Sequence, residues 1–158
     1  MRGSEAVQLP GSDTGAVDLV LEIPHEAEQV RTARLFAAAA ARHFDIDEDR
    51  VEDLKVAISE ACTNAIGSHQ RAGLSDPVRV VATPEAAGVR FDVVDAGPGF
   101  DPELALTAAE DYTPPSGLTE GSLGLALIRA LFPSIEIARN AGRGMTLSIV
   151  VERPGPAA

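Results

Sequence analysis

Two neighbouring segments of alternating apolar residues place the strongest constraint on the fold. VRVVATP (78–84) and GVRFDVVD (88–95) each have the pattern of a strand, and only a short turn separates them. Strands this close in sequence pair as an antiparallel hairpin. IEIA (135–138) and MTLSIVVE (145–152), joined by NAGRG, predict a second antiparallel pair, and VDLVLEI (17–23) predicts one more strand. The chain is therefore expected to form a mainly antiparallel sheet.

Helical periodicity occupies the remaining ordered stretches. One helix is predicted from around His25 and Glu26, where Pro24 ends the first strand. A second runs from about Asp47 to Ser68, where acidic residues at its start suit the positive end of the helix dipole. A short third helix is predicted over residues 123–131. This order of elements predicts an α+β fold, a two-layer α/β sandwich with helices on one face of the sheet.

The domain boundaries follow from the same pattern. Residues 17–152 are predicted to form a single domain, flanked by a flexible N-terminal segment (1–16) and a flexible tail (153–158). Within the domain, residues 96–122 contain four Gly and four Pro and have weak periodicity. A connection of this length is usually either functional or disordered.

Composition narrows the class of protein. The chain has 158 residues, 45% of them hydrophobic, which is enough to build a core and excludes wholesale disorder. Its net charge of −11 argues against direct nucleic-acid binding and against docking on anionic lipid, and favours a basic protein partner. Cys62 is the single cysteine and no long apolar run occurs, so we expect a cytoplasmic protein without disulfides.

The second predicted helix carries the first candidate site. Glu60 and Asn64 are four residues apart, so they lie on one helix face, away from the apolar stripe. No cationic side chain lies one turn from Glu60. A carboxylate beside an amide oxygen fits a general base next to a metal ligand, although a solvated helix face would have the same pattern.

Two glycine-containing segments could bind other parts of a ligand. Asp95 ends a strand in VVDAGPGF, where Gly97 and Gly99 allow a close backbone approach; its carboxylate could accept from an exocyclic amine such as that of adenine, or simply cap a turn. Further on, Gly121, Ser122 and Gly124 stand where the long connection becomes a helix. Their amides could bind phosphate, or Ser122 could be an ordinary helix cap.

The order and spacing of these segments are more specific than any one of them. ISEACTNA, VVDAGPGF, EGSLGLALI and GRGMTLSIV together resemble the ATPase fold of the GHKL superfamily, which includes gyrases and histidine kinases. SEACTNA and YTPPSGLTEGSLGLALI are most similar to the anti-sigma-factor serine kinases. The resemblance covers residues 17–151 and implies the GHKL (Bergerat) type of α/β sandwich.

The resemblance also implies roles for individual residues. Glu60 would be the general base that activates a seryl hydroxyl, and Asn64 would hold Mg²⁺ on the triphosphate of ATP. Asp95 would receive the adenine amine, with Gly97 and Gly99 shaping that end of the pocket. The remaining implied ligand contacts are with the phosphates, through Gly121, Ser122, Leu123 and Gly124, and with the adenine, through Thr146. Residues from about 100 to 122 would be the ATP lid.

Three departures from the family pattern bear on activity. Ser122 stands where the family usually has Gly, and Ser68 stands where a His is frequent, so His69 beside it receives no role. The segment between Arg90 and Arg129 contains no Lys or Arg, whereas the lid is acidic. Such a lid would repel a triphosphate.

The function implied by the resemblance is that of a cytosolic, homodimeric anti-sigma factor. It would bind an alternative sigma factor and use Mg·ATP to phosphorylate a serine on a STAS-domain antagonist. Arg31, Arg34 and Arg42 on the first helix are candidates for dimer or partner contacts. The alternatives are a binding module of the same fold without catalysis, favoured by the acidic lid and Ser122, and a histidine-kinase-like catalytic domain with a separate phosphoacceptor.

Overall fold

The computed structural model describes residues 17–99 and 120–155, and the side chains of the second range from residue 124 onward. The predicted N-terminal segment and most of the predicted lid lie outside these ranges. The elements, in chain order, are β1 (Leu19–Ile23), a 3₁₀ turn (Ala27–Gln29), α1 (Val30–His43), α2 (Glu48–Ala72), β2 (Val78–Pro84), β3 (Gly88–Val94), α3 (Glu120–Leu131), β4 (Glu136–Arg139) and β5 (Met145–Glu152).

The described strands form one five-stranded sheet in the order β1-β2-β3-β5-β4, and every neighbouring pair is antiparallel. β2 and β3 form the predicted hairpin, in a register that pairs Ala82 with Phe91. Phe91 in turn pairs with Ile149 of β5. The predicted mainly antiparallel sheet is confirmed.

Side-chain alternation along the strands separates the two faces of the sheet. One face contributes its apolar residues to the core: Val78, Val80 and Ala82 of β2, Val89, Phe91 and Val93 of β3, and Ile149 and Val151 of β5. The helices cover this face with their own apolar stripes. The stripe of α2 includes Val51, Leu54, Ile58, Ala61 and Ala65. The two-layer α+β sandwich is therefore confirmed, with its core between sheet and helices.

Small residues let the helices pack closely. Four alanines of α1, Ala33, Ala37, Ala40 and Ala41, are at most 2% exposed and lie in the core. Cys62 of α2 is also buried, and burial raises the pKa of its thiol to about 12. None of the described helices is long and apolar enough to span a membrane.

Several element boundaries differ from the prediction. α2 continues to Ala72, four residues beyond Ser68, because it ends only at Gly73, whose φ of 66° suits the left-handed C-cap. The first helix begins at Val30 after the 3₁₀ turn rather than near His25. α3 includes Glu120 to Ser122, which the prediction left outside the helix because Gly121 has a low helix propensity.

The basic residues of α1 have different environments. Arg31 and Arg34 are exposed, whereas the guanidinium of Arg42 donates to Glu48 at 2.6 Å and so links the start of α2 to the end of α1. Of the three arginines considered for partner contacts, Arg42 is therefore already engaged in an ion pair within the fold.

Candidate functional site

Glu60 and Asn64 lie on one face of α2 and are half-buried. Gly124 of α3 packs against both. A methyl group on Gly124 would lie 2.7 Å from Oε2 of Glu60 and 3.4 Å from Nδ2 of Asn64. A side chain at this position would therefore displace the Glu60 carboxylate, and the freely solvated helix face considered from the sequence is excluded for this pair.

The first turn of α3 belongs to the same region, because it comes directly before Gly124 in the chain. Because α3 begins at Glu120, the backbone amides of Gly121, Ser122 and Leu123 belong to its first turn. Amides of a first turn have no acceptor within the helix. Ser122 is therefore inside the helix rather than its N-cap, which corrects the alternative reading of that residue.

Asp95 follows β3 directly, at the point where the sheet ladder ends. Its backbone still pairs with β5, since its N–H donates to the carbonyl of Met145 at 2.9 Å and its carbonyl accepts from the Met145 amide. Its carboxylate oxygen Oδ1 accepts from the amide of Gly97 at 2.9 Å. Burial raises the pKa of the Asp95 carboxyl, against the opposing effect of the Gly97 hydrogen bond.

The glycines near Asp95 are sites of close approach. Gly97 is buried against the hydroxyl of Ser68 on α2, so a side chain at Gly97 would collide with that oxygen. Gly99 has φ of 76° and lies beside Met145. Gly144, which the sequence analysis did not single out, packs on the carbonyl of Asp95 with φ of 97°. The loop after β3 is thus enclosed from both sides.

Thr146 lies in β5 opposite Val94, next to the Asp95 loop. Its hydroxyl donates to Oδ1 of Asn140 at 2.6 Å, and Nδ2 of Asn140 donates to the carbonyl of Asp95 at 3.3 Å. Asn140 therefore connects Thr146 to the loop that carries Asp95. It was missed from the sequence because NAGRG has the composition of an ordinary turn.

His69 is the other functional candidate that sequence reasoning missed. It is 0% exposed, and its ring bonds to two loops: Nδ1 lies 2.9 Å from the carbonyl of Asp76, and Nε2 accepts from the amide of Ala96 at 2.8 Å. A signal for its burial did exist, because His69 lies four residues after Ala65 on the apolar stripe of α2.

Two clusters emerge from these contacts. One contains Glu60, Asn64 and Gly124; the other contains the Asp95 loop, its glycines and Thr146. Ser68 connects them, because it touches Gly97 and lies one helical turn after Asn64, about 6 Å along the axis. The side chains of Ser122 and Leu123 lie outside the described residues, as do residues 100–119.

The chemistry of the two clusters suits the two ends of a nucleotide. The Asp95 carboxylate is a partly buried acceptor on a loop held by five hydrogen bonds, four to other parts of the fold and one within the loop. The other cluster offers a carboxylate, an amide oxygen and helix-start amides. Within the described ranges, no three His, Cys, Asp or Glu side chains form a metal site. A Mg²⁺ ion beside Asn64 would thus take most of its ligands from phosphate and water, as this ion usually does.

Comparisons with known proteins agree with this geometry. A family model described as histidine kinase-like ATPase domain matches residues 23–151. Similar curated proteins include the serine-protein kinase RsbW of Bacillus velezensis, 33% identical over 80% of this chain and 82% of the relative. The serine-protein kinase RsbW of Bacillus subtilis is 30% identical over 77% of this chain and 78% of the relative.

Solved structures share the fold. The RsbU and RsbW domains of a Mycobacterium tuberculosis protein superpose with a TM-score of 0.60 at 21% identity, covering 88% of this chain and 33% of that one. A chain of the SiaB–SiaC complex of Pseudomonas aeruginosa gives a TM-score of 0.61 at 12% identity, covering 84% and 89%.

These matches define the class of protein: the chain is a GHKL-type ATPase-fold protein and belongs to the histidine kinase-like ATPase domain family. Within that family it is similar to the serine-protein kinases RsbW, which confirms the resemblance drawn from its sequence motifs.

Proposed function

We propose that this protein is an ATP-binding anti-sigma factor with serine-protein kinase activity. It sequesters an alternative sigma factor and phosphorylates a serine of a STAS-domain antagonist. The unphosphorylated antagonist displaces the sigma factor, and phosphorylation releases the antagonist. Family membership supports ATP binding and the regulatory class. The packing of Gly124 against Glu60 and Asn64 is the observation that carries the site assignment, because it joins the base candidate, the metal-ligand candidate and the phosphate-binding helix start.

In this proposal each cluster has one task. Asp95 accepts a hydrogen bond from the adenine amine, and Thr146 and the glycines of the loop shape that end of the pocket. The amides of Gly121 to Gly124 bind phosphate oxygens, and Asn64 contributes its amide oxygen to Mg²⁺. When bound, Mg²⁺ neutralises charge on the phosphate oxygens.

Glu60 acts on the second substrate. Its carboxylate accepts the proton of the antagonist's serine hydroxyl as the hydroxyl oxygen attacks the terminal phosphorus of ATP. The bond from that phosphorus to the bridging oxygen breaks, so the products are phosphoserine and ADP. Glu60 is half-buried on α2, and no described ion pair involves it, so its carboxylate is not committed to a cationic partner there.

Calorimetric titration with ATP, with and without Mg²⁺, tests the nucleotide site. We expect Mg²⁺-dependent binding by the native protein and its loss in Asn64→Ala. Thr63→Ala is the matched control, because Thr63 is exposed on the same helix and bonds only within α2. Equal binding by Asn64→Ala and the native protein would show that Asn64 is not the metal ligand.

Transfer of labelled γ-phosphate to a STAS-domain protein tests the kinase activity. Glu60→Gln should lower the rate by about 10²- to 10⁴-fold, the usual contribution of a general base. Glu52→Gln is the control, since Glu52 is exposed on α2 and pairs with Lys55. Undiminished transfer by Glu60→Gln would remove the base assignment.

The acidic lid favours a second candidate function, sequestration of the sigma factor without catalysis. Between Arg90 and Arg129 the chain has no Lys or Arg, while Asp101, Glu103, Glu110, Asp111 and Glu120 are acidic. A protein that sequesters sigma without catalysis would bind its partner equally well with and without ATP and transfer no phosphate.

We further propose that the protein acts in the cytoplasm as a homodimer. Sedimentation at several concentrations would test the homodimer.

A further inference from the structure

The loop after β3 depends on a side chain of α2 for one of its backbone hydrogen bonds. β3 ends at Val94, and the Asp95 backbone is the last that pairs with β5. The next amide, that of Ala96, donates to Nε2 of His69 at 2.8 Å. Ala96 is half-buried and its amide faces the fully buried ring of His69, so without this acceptor the amide would lose hydration without compensation. His69 therefore helps to fix the path of the backbone after β3 leaves the sheet.

The two ring bonds of His69 define its protonation state. Nε2 accepts from the Ala96 amide, so it carries no proton. Nδ1 then bears the proton and donates to the carbonyl of Asp76. Only the neutral Nδ1–H tautomer satisfies both bonds. This tautomer has one donor and one acceptor on opposite sides of the ring, each used on a different loop.

The position of Ala96 gives this bond its importance. Ala96 lies between Asp95, whose carboxylate is the proposed adenine acceptor, and Gly97, whose amide donates to Oδ1 of that carboxylate. Fixing the Ala96 amide thus fixes the direction of the Asp95 side chain. His69 also belongs to the helix that carries Asn64, five residues and about 7.5 Å earlier along the axis. It therefore ties the adenine end of the site to the phosphate end.

We propose that His69 is a positioning residue for adenine recognition: it holds the Asp95 loop in the orientation that presents the carboxylate to the base. This inference rests on the proposed function, since it assumes that the site takes an adenine nucleotide. His69 does not touch the ligand. It acts through the Ala96 amide, so its loss affects selection of the base more than binding of the phosphates.

Two amide substitutions separate the two bonds of the ring. In His69→Gln the side-chain carbonyl reaches the place of Nε2 and keeps the acceptor for Ala96, whereas in His69→Asn the amide nitrogen lies near Nδ1 and keeps the donor for Asp76. His43→Asn is the control, because His43 is exposed at the end of α1. A purely structural histidine would respond to Gln and Asn alike.

The first measurement needs no nucleotide. Amide hydrogen exchange, read by NMR, should be faster at Ala96 and Gly97 in His69→Asn and unchanged in His69→Gln and His43→Asn. In the native protein, the imidazole ¹⁵N shifts should report a protonated Nδ1, even if a variant fails to fold. A protonated Nε2, or equal protection of Ala96 in both His69 variants, would overturn the positioning role.

The second measurement is base discrimination. The ratio of the dissociation constants for GTP and ATP should fall about tenfold in His69→Asn, the value of roughly one lost hydrogen bond, and stay native in His69→Gln. Inorganic triphosphate, which lacks a base, should bind all variants equally. An unchanged ratio in His69→Asn would refute the proposal. Failure of the native protein to bind ATP would instead refute the proposed function, and the exchange measurement would still decide whether His69 holds the loop.

Discussion

At the scale of single residues, Gly124 makes the sharpest contact in the site. A methyl group there would lie 2.7 Å from Oε2 of Glu60, so one of the two groups has to move. Oε2 is the end of a flexible side chain, and it can move at small cost. Gly124→Ala should therefore fold normally, with a helix-propensity gain of up to about 1 kcal/mol, while phosphate transfer falls because the Glu60 carboxylate is displaced.

Thermal unfolding and a transfer assay of the same preparation check this prediction. Gly67→Ala is the matched control, because it makes the same change in α2 and its methyl group would meet only the mobile guanidinium of Arg71 at 3.1 Å. Both variants should keep or raise the melting temperature, but only Gly124→Ala should lose activity. Full activity of Gly124→Ala would mean that the position of the Glu60 carboxylate does not limit transfer.

Asp95 gives the site a pH dependence. Burial raises the pKa of its carboxyl, and because Oδ1 already accepts from Gly97, a proton taken up at low pH goes to Oδ2. That proton turns an acceptor for the adenine amine into a donor. ATP affinity should therefore fall as the pH drops through this pKa, which burial raises above the ordinary value of an aspartic acid. Titration calorimetry from neutral to acidic pH measures this, and Asp95→Asn should remove the dependence along with most of the affinity.

The raised pKa of Asp95 also makes the stability of the folded state depend on pH. Because the folded pKa of Asp95 lies above its unfolded value, the native state holds the proton more tightly. The contribution of this group to stability is present below the unfolded pKa and is lost as the pH rises through the folded pKa. Relative to the native protein, Asp95→Asn should thus gain stability between acidic and neutral pH. Urea denaturation at several pH values would show the opposite trend if burial did not dominate.

At the scale of elements, the end of α2 is set by one backbone conformation. Gly73 has φ of 66°, and nothing lies within 4 Å of the place where a side chain would start. Gly73→Ala should therefore destabilise by about 1 kcal/mol through backbone strain alone, and Gly73→Asn by less, because Asn tolerates the left-handed conformation. Gly155→Ala is the control in open space with an ordinary φ. Denaturant titrations of the three variants measure the difference.

How accurately the bounds of a helix or strand could be predicted depended on the residues at its two ends. β2 and β5 have the predicted bounds, because alternation is clear in both and Pro or Gly lies at their ends. The start of α3 was missed because Gly121, in its first turn, lowers the helix signal. The end of α2 was missed because the acidic start had a clear signal and the polar last turn had none.

The site was predictable only in part, for a related reason. Spacing along α2 was sufficient to pair Glu60 with Asn64, since periodicity places residues on one helix face. Three other contacts leave no periodic pattern in the sequence, because they depend on how loops and helices pack. They join α2 to Gly124, Ser68 to Gly97, and His69 to Ala96. His69 shows the limit most clearly: the apolar stripe predicts its burial, but only the tertiary structure gives its two hydrogen-bond partners.

At the scale of the whole molecule, charge sets how ligands approach. The net charge is −11, and ATP is itself an anion, so free ATP is repelled while a basic partner is attracted. Salt screens both effects, since the Debye length falls from about 30 Å at about 0.01 M to about 10 Å at about 0.1 M ionic strength. Added salt should therefore strengthen binding of Mg²⁺-free ATP and weaken binding of a basic protein partner.

Adenosine is the control for this prediction, because it has the same base and no charge. Its affinity should stay constant over the range in which that of ATP rises, and Mg·ATP should respond less than free ATP because the ion cancels part of the charge. Titrations at matched salt concentrations give all three slopes. Weaker binding of free ATP at higher salt would mean that local cations outweigh the acidic lid and the net charge, and so that the phosphate site attracts its ligand without help from Mg²⁺.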